Sequence, residues 1–240
     1  MIYKSIVGAS GKIKKLALLI DPDVTGPEML GVLLKNAEKA GVSMILAGGS
    51  LVSRPIDPLI RKIKEISSIP VLLFPGNPSQ LSNSADGLLL LSLISGRNPE
   101  FLIGNHVVAA HFLKNSSLEI IPTGYMLIEN GSTSSAEYIS NTRPLPRNKP
   151  DLAVCTAIAG EMLGLKLIYM EGGSGAKCLI PPDIISAVKK NTGIPLLVGG
   201  GIQSADDLKM VFDSGADIAV VGTAVEQNPE ILSEFASMLK

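Results

Sequence analysis

The chain has 240 residues, of which 46% are hydrophobic, only 4% are aromatic and none is Trp. Its 21 basic and 22 acidic side chains leave a formal net charge of −1, which argues against a nucleic-acid binder, whose surface normally carries a basic face. That length suits one large α/β domain with a substantial core, and Cys155 and Cys178 fit no metal spacing, so reduced thiols in a cytosolic protein are expected.

The opening stretch MIYKSIVGASGKIKK lacks the long apolar core of a signal peptide. LALLI (16–20) is the first strand-like run and ends in Asp21-Pro22-Asp23. GPEMLGVLLKNAEKAG then reads as a helix, with Pro27 and Glu28 in its first turn and Gly41 as its stop. SMILA (43–47) runs into Gly48-Gly49-Ser50, and VLLF (71–74) and GLLLL (87–91) follow. The greasiest stretch, GLLLLSLISG, is too short to span a bilayer, which takes about 20 residues.

LEIIPT (118–123) is the fifth strand. The Ser-, Asn- and Pro-rich residues 124–150 after it form a long βα loop, read either as a lid or as a plain surface excursion. KLIYM (166–170) leads into Glu171-Gly172-Gly173-Ser174-Gly175, and PLLVG (195–199) into Gly200-Gly201. SADDLKMVFDSG offers Ser204 as N-cap and Gly215 as terminator, and IAVV (218–221) ends in Gly222-Thr223-Ala224.

These eight runs are apolar throughout rather than alternating, as parallel strands covered on both faces are. Eight strands alternating with helices point to a single (β/α)8 barrel over residues 1–240; an open doubly wound sheet is the alternative. A faint repeat supports two four-strand halves. Gly48 and Gly172 lie 124 residues apart, Pro70 and Pro195 125, Asp86 and Asp217 131, and Pro99 and Pro229 130.

In such barrels the chemistry sits at the C-terminal strand ends. Glycine-dense turns after the sixth, seventh and eighth strands would let backbone N–H groups approach a phosphate, although each alone is also an ordinary tight turn. Asp21 and Ser50, facing one cleft with phosphate oxygens and waters, would suit Mg²⁺; without other information, a cap for the first helix is the favoured reading of Asp21 or Asp23. Glu171 beside an anion site is poorly explained by binding, because like charges repel, and reads as a general base. His106 and His111 lie five apart and face different ways on one helix, so packing or solvent contact, not metal ligation, is expected of them. DDLKM (206–210) lacks the final acid of a DDxxD diphosphate clamp.

LIDPD, GGS, YMEGGSGA, VGGGI and VGTA, in this order from about Leu16 onward, resemble the geranylgeranylglyceryl phosphate synthase family and the related bacterial heptaprenylglyceryl phosphate synthases. The segment from Pro122 to Asp151 is similar to the larger archaeal and Bacteroidetes-type subgroup. The resemblance implies a Mg²⁺-dependent transfer of a geranylgeranyl or similar prenyl group from its diphosphate to the C3 hydroxyl of sn-glycerol 1-phosphate. It places the metal at Asp21 and Ser50, and the glycerol phosphate at Tyr169, Met170, Glu171, Gly172, Gly173, Ser174, Gly175, Gly200, Gly201, Gly222 and Thr223. Glu171 is the base. Leu19 departs from relatives that carry Lys there, so Lys177 and Arg143 become candidates for a phosphate contact.

A prenyl tail also needs an apolar groove, for which residues 92–112 are the best lining; a plain core helix is the alternative. The resemblance implies a homo-oligomer, dimer or hexamer, with Phe101 near an interface, in the cytoplasm and without stable membrane insertion. Two other readings remain open: a phosphate-binding barrel isomerase or aldolase, and a non-enzymatic phosphometabolite-binding protein.

Overall fold

The computed structural model describes residues 1–9 and 13–239; residues 10–12 of the opening segment and Lys240 lie outside the described residues. Eight strands, β1 (Lys15–Ile20), β2 (Met44–Ala47), β3 (Val71–Leu73), β4 (Gly87–Leu93), β5 (Glu119–Leu127), β6 (Leu167–Glu171), β7 (Leu196–Gly199) and β8 (Ile218–Val221), pair in parallel in chain order. β8 returns to β1, with Leu18 opposite Val221, and closes the barrel. Closure removes the open-sheet alternative.

Strand side chains alternate between two apolar layers, which is why the runs show no polar alternation. Ala17, Met44, Leu46, Leu72, Leu89, Tyr169, Leu197 and Val220 fill the interior. Leu16, Leu18, Ile45, Val71, Ile168, Met170, Val198 and Val221 pack outward in the larger cluster shared with the helices.

The helical ring contains α2 (Pro27–Ala40), α3 (Ile56–Ile66), α4 (Asn105–Lys114), α6 (Pro150–Met162), α7 (Pro182–Asn191) and α8 (Ala205–Asp213). α2 opens with Pro27 and stops at Gly41, which is left-handed at φ 73° and donates its N–H to the Ala37 and Glu38 carbonyls. Ser204 caps α8, its hydroxyl accepting from Asp207 N at 3.1 Å. The shorter α9 (Thr223–Gln227) and α10 (Ile231–Ala236) follow β8.

Three features depart from the sequence expectations. An N-terminal helix, α1 (Ile2–Ala9), places Ile6 among the interior residues, and its Tyr3 N–H donates to the Glu119 carboxylate at 3.0 Å, so it plugs the barrel floor. Between β3 and β4 there is only a 3₁₀ turn, Pro78–Gln80, because Pro75, Gly76 and Pro78 deny a helix its interior. Strand β5 continues to Leu127, four residues beyond Thr123; Met126 and Leu127 are too deeply buried to belong to a loop. The rest of the long segment then returns through a bridge between Ile128 and Leu145 and a short helix, α5 (Ser135–Ser140).

The faint repeat has a physical counterpart. Asp86, before β4, accepts from Val71 N at 2.9 Å and from Lys64 Nζ at 2.6 Å. Asp217, before β8, accepts from Leu196 N at 2.8 Å and from Lys189 Nζ at 2.6 Å. In each half an acid ties the neighbouring strand's first N–H to a lysine of the preceding helix.

Candidate active site

The parallel register brings the carboxyl ends of all strands to one rim, where two cavities meet. The first is polar and holds about 1350 Å³ of empty space, part of it open. Asp21, Ser50, Tyr169, Glu171, Gly173, Ser174, Gly175, Gly200, Gly201, Gly222 and Thr223 all line it. Met170 does not: it follows the strand alternation outward and is fully buried in the helix-facing layer. Gly172 is also absent from the lining, and its N–H is spent on the Gly199 carbonyl at 3.0 Å. The turns after β6 and β8 touch through the Ser174 and Thr223 hydroxyls, 3.4 Å apart.

Glu171 ends β6 with its side chain directed inward and is only 6% exposed. Its Oε1 accepts from Gly173 N at 2.6 Å. Burial raises its proton affinity above the ordinary carboxylate value, partly offset by the Tyr169 hydroxyl and the Gly173 N–H. That Tyr169 hydroxyl lies towards the carboxylate, yet among the described residues no acceptor meets it at hydrogen-bonding geometry. Gly200 shows why the wall must be bare. Its φ is 88°, and a Cβ there would stand 2.8 Å from Glu171 Oε1.

Asp21 directly follows β1. Its Oδ1 accepts from Asp23 N at 2.8 Å, which leaves Oδ2 against the turn that carries Ser50; a Cβ on Gly49 would lie 2.7 Å from that oxygen. Burial raises the Asp21 proton affinity, and the Asp23 charge adds to this against the pull of the Asp23 N–H. Asp23 itself accepts from Ser53 N at 2.7 Å and Arg54 N at 2.9 Å, stapling the two loops together. Neither acid caps α2, whose N-cap is Gly26 without a side-chain bond.

A second carboxylate escaped the sequence reading. Glu226, on α9, lines the same cavity, and its proton affinity is raised by burial and then by the Asp21 charge. Nothing in the run AVEQN distinguishes it; only the adjacency of β8 and β1 brings it to Asp21.

The second cavity is an apolar groove with about 810 Å³ of empty space, part of it open to solvent. Leu88 and Leu90, Leu93, Phe101, Ala109 and Leu113 supply its walls. It opens where the third helix of the ring is missing, and a π-helical turn at Glu100–Gly104 carries Phe101 into it. His106 also lines it and bonds the Leu91 carbonyl through Nε2 at 2.8 Å; this is the packing role expected of it. From the 92–112 segment, then, both π-turn and helix contribute.

Groove and polar cavity share Gly49, Ser50, Phe74, Tyr125 and Ala136. The rings of Phe74, Tyr125 and Tyr169 form a mutually packed trio at this border, with centroids 5.4–5.8 Å apart. Ala136 comes from α5, so the long segment after β5 covers the junction instead of straying over the surface. Among the described residues no lysine or arginine lines either cavity. Lys177 and Arg143, the candidates for a phosphate contact, line separate surface hollows.

Comparison with known proteins gives this geometry its relatives. The family model described as PcrB matches residues 12–239. The chain is 48% identical to geranylgeranylglyceryl phosphate synthase of Spirosoma linguale, over 95% of this chain and 92% of that one. It is 42% identical to the enzyme of that name from Pyrococcus abyssi, over 92% and 88%. Among solved structures, (S)-3-O-geranylgeranylglyceryl phosphate synthase of Thermoplasma acidophilum, in complex with its substrate sn-glycerol-1-phosphate, superposes with a TM-score of 0.94. That match is 28% identical and covers 100% of this chain and 98% of the other. On sequence and fold alike, the chain belongs to the PcrB family.

Proposed function

We propose that the protein transfers a geranylgeranyl or similar long prenyl group from its diphosphate to the C3 hydroxyl of sn-glycerol 1-phosphate. The observation that carries this reading is the junction: a glycine-walled polar cavity with a buried acid, continuous with an apolar groove. The N–H-rich turns at Gly173–Gly175, Gly200–Gly201 and Gly222–Thr223 would receive the phosphate. Glu171 would take the C3 hydroxyl proton as the C3 oxygen bonds to C1 of the prenyl chain and the bond from C1 to the diphosphate breaks.

The tail would lie in the groove. Twenty carbons at about 0.8 kcal/mol each are worth on the order of 15 kcal/mol before ordering costs, so the groove's floor, not the polar contacts, limits tail length.

Mg²⁺ fits the donors present. Three carboxylates, Asp21, Glu171 and Glu226, and no basic side chain among the described residues line the cavity, and the free Oδ2 of Asp21 faces the Ser50 turn. Asp21 and Ser50 would hold the ion, and it would supply charge neutralisation for the leaving diphosphate. A Schiff-base aldolase is disfavoured because no lysine among the described residues lines the cavity. A protein that merely binds phosphometabolites has no use for a buried acid beside the anion.

Ile103 on the π-helical turn and Val107 and Val108 on α4, each at least 60% exposed, support a homo-oligomer, dimer or hexamer; light scattering tests it. The reading keeps the enzyme in the cytoplasm without stable membrane insertion; among the described residues no helix is long and apolar enough to cross a membrane. The decisive assay supplies labelled sn-glycerol 1-phosphate, geranylgeranyl diphosphate and Mg²⁺. An organic-extractable phosphate ether is expected, and its absence would overturn the assignment.

A further inference from the structure

The polar cavity has an electrostatic imbalance. In the proposed reaction it would accept a phosphate and a diphosphate, yet three carboxylates and, among the described residues, no lysine or arginine line it. Glu171 stands apart at the end of β6 with its own N–H partner. Asp21 and Glu226 are brought together by the closing pair of strands: one directly follows β1, the other sits in the first turn of α9, directly after β8. Each side chain is half-buried, and among the described residues no lysine or arginine lines the cavity they share.

A second, independent feature points the same way. Thr25, in the loop between β1 and α2, is only 7% exposed, and among the described residues its hydroxyl meets no partner at full hydrogen-bonding geometry. It lies against the Glu226 carboxylate. A buried, unmatched hydroxyl beside two acids is costly in a closed fold. Its presence is understandable where the acids are turned towards an ion and the hydroxyl steadies one of them from behind.

We infer that Glu226 is a second carboxylate of the divalent-cation site, sharing the ion with Asp21 while Thr25 orients it. This rests on the proposed transferase reading and extends its metal site from one loop to two, tying the end of β1 to α9. Two carboxylates plus substrate oxygens and waters is a usual complement for Mg²⁺, which keeps much of its hydration. The competing role is a purely structural one, with Glu226 clasping the Asp21 backbone N–H and the Thr25 hydroxyl.

Mn²⁺ alone is a suitable probe, counted by loss of the free-ion electron paramagnetic resonance signal on titration into the full chain. The wild type should bind one ion, and Glu226→Gln and Asp21→Asn should each weaken it at least about tenfold, as loss of metal-site partners does. Thr25→Val should weaken it less. In metal-free buffer Glu226→Gln should melt no lower than the wild type, because it removes repulsion from Asp21; added Mn²⁺ should raise the wild-type melting temperature more than the variant's. Unchanged Mn²⁺ affinity in Glu226→Gln, with a lowered melting temperature without metal, would overturn the inference in favour of the clasp. So would a wild type that binds no Mn²⁺. Ether formation by the wild type is measured separately, so either failure leaves the transferase reading to its own assay.

Discussion

The two halves of the barrel share a floor and differ at the rim. At the floor, Asp86 and Asp217 perform the same task with Lys64 and Lys189. At the rim, the turns after β6, β7 and β8 are glycine-walled and polar, whereas the region after β3 and β4 has lost a helix and gained an apolar groove. Scaffold contacts tolerate little variation because a strand's first N–H must be satisfied in either half. Rim loops carry no such constraint, so one half can bind a charged head group while the other holds a tail. Phe74 from the first half and Tyr125 from the second meet at the boundary.

The sharpest way to break this contrast is at Glu171. Glu171→Gln should lower kcat by about 10²–10⁴-fold, the usual worth of a positioned general base. Stability should move the other way. Burial raises the folded-state pKa of Glu171, so its ionised form costs the folded protein stability at pH values above the ordinary value of about 4.3. The glutamine variant should therefore melt higher at neutral pH, with the difference vanishing as pH falls below about 4. Thermal melts across pH check the sign.

Blocking the groove tests the other half. Ala109→Phe would displace several carbons of the tail, worth about 3 kcal/mol or roughly a hundredfold in kcat/KM for the longest substrate. The KM for glycerol phosphate should hold. A chain-length competition assay separates the two effects.

The floor offers a smaller, internal comparison. Asp217 is 2% exposed and Asp86 about a third, so removing each charge should cost unequally. Asp217→Asn should cost about 2–3 kcal/mol, and Asp86→Asn about 1 kcal/mol, by denaturant unfolding. Equal costs would mean that the halves differ in the floor less than their burial implies.

The smallest effect is on pH dependence. The acid limb of kcat/KM should fall at a pH above the ordinary carboxylate value, because burial holds the Glu171 proton more tightly. A profile that follows an exposed carboxylate would place the working base elsewhere.

How much of this was legible beforehand follows from where the signals lie. β8 and the ends of α2 were readable because apolar runs, Pro27 and Gly41 act locally. Pro122 and Gly124 hid the continuation of β5, since both normally weaken a strand; burial between β4 and β6 overrides them. The missing helix could have been found in Pro75, Gly76 and Pro78. Most of the glycine rim was legible, but treating residues 169–175 as one unit admitted Met170, which the two-residue strand period turns outward. Glu226, Phe74 and Tyr125 could not be found this way, because their meeting depends on barrel closure.

The most direct measurement is a crystal structure of the protein with sn-glycerol 1-phosphate. The phosphate should rest on the backbone of Gly200, Gly201 and Gly222 and on Thr223, with the C3 hydroxyl within about 3 Å of a Glu171 oxygen. A polyol bound with that hydroxyl turned away from Glu171, or a phosphate seated outside the glycine rim, would contradict the proposed chemistry.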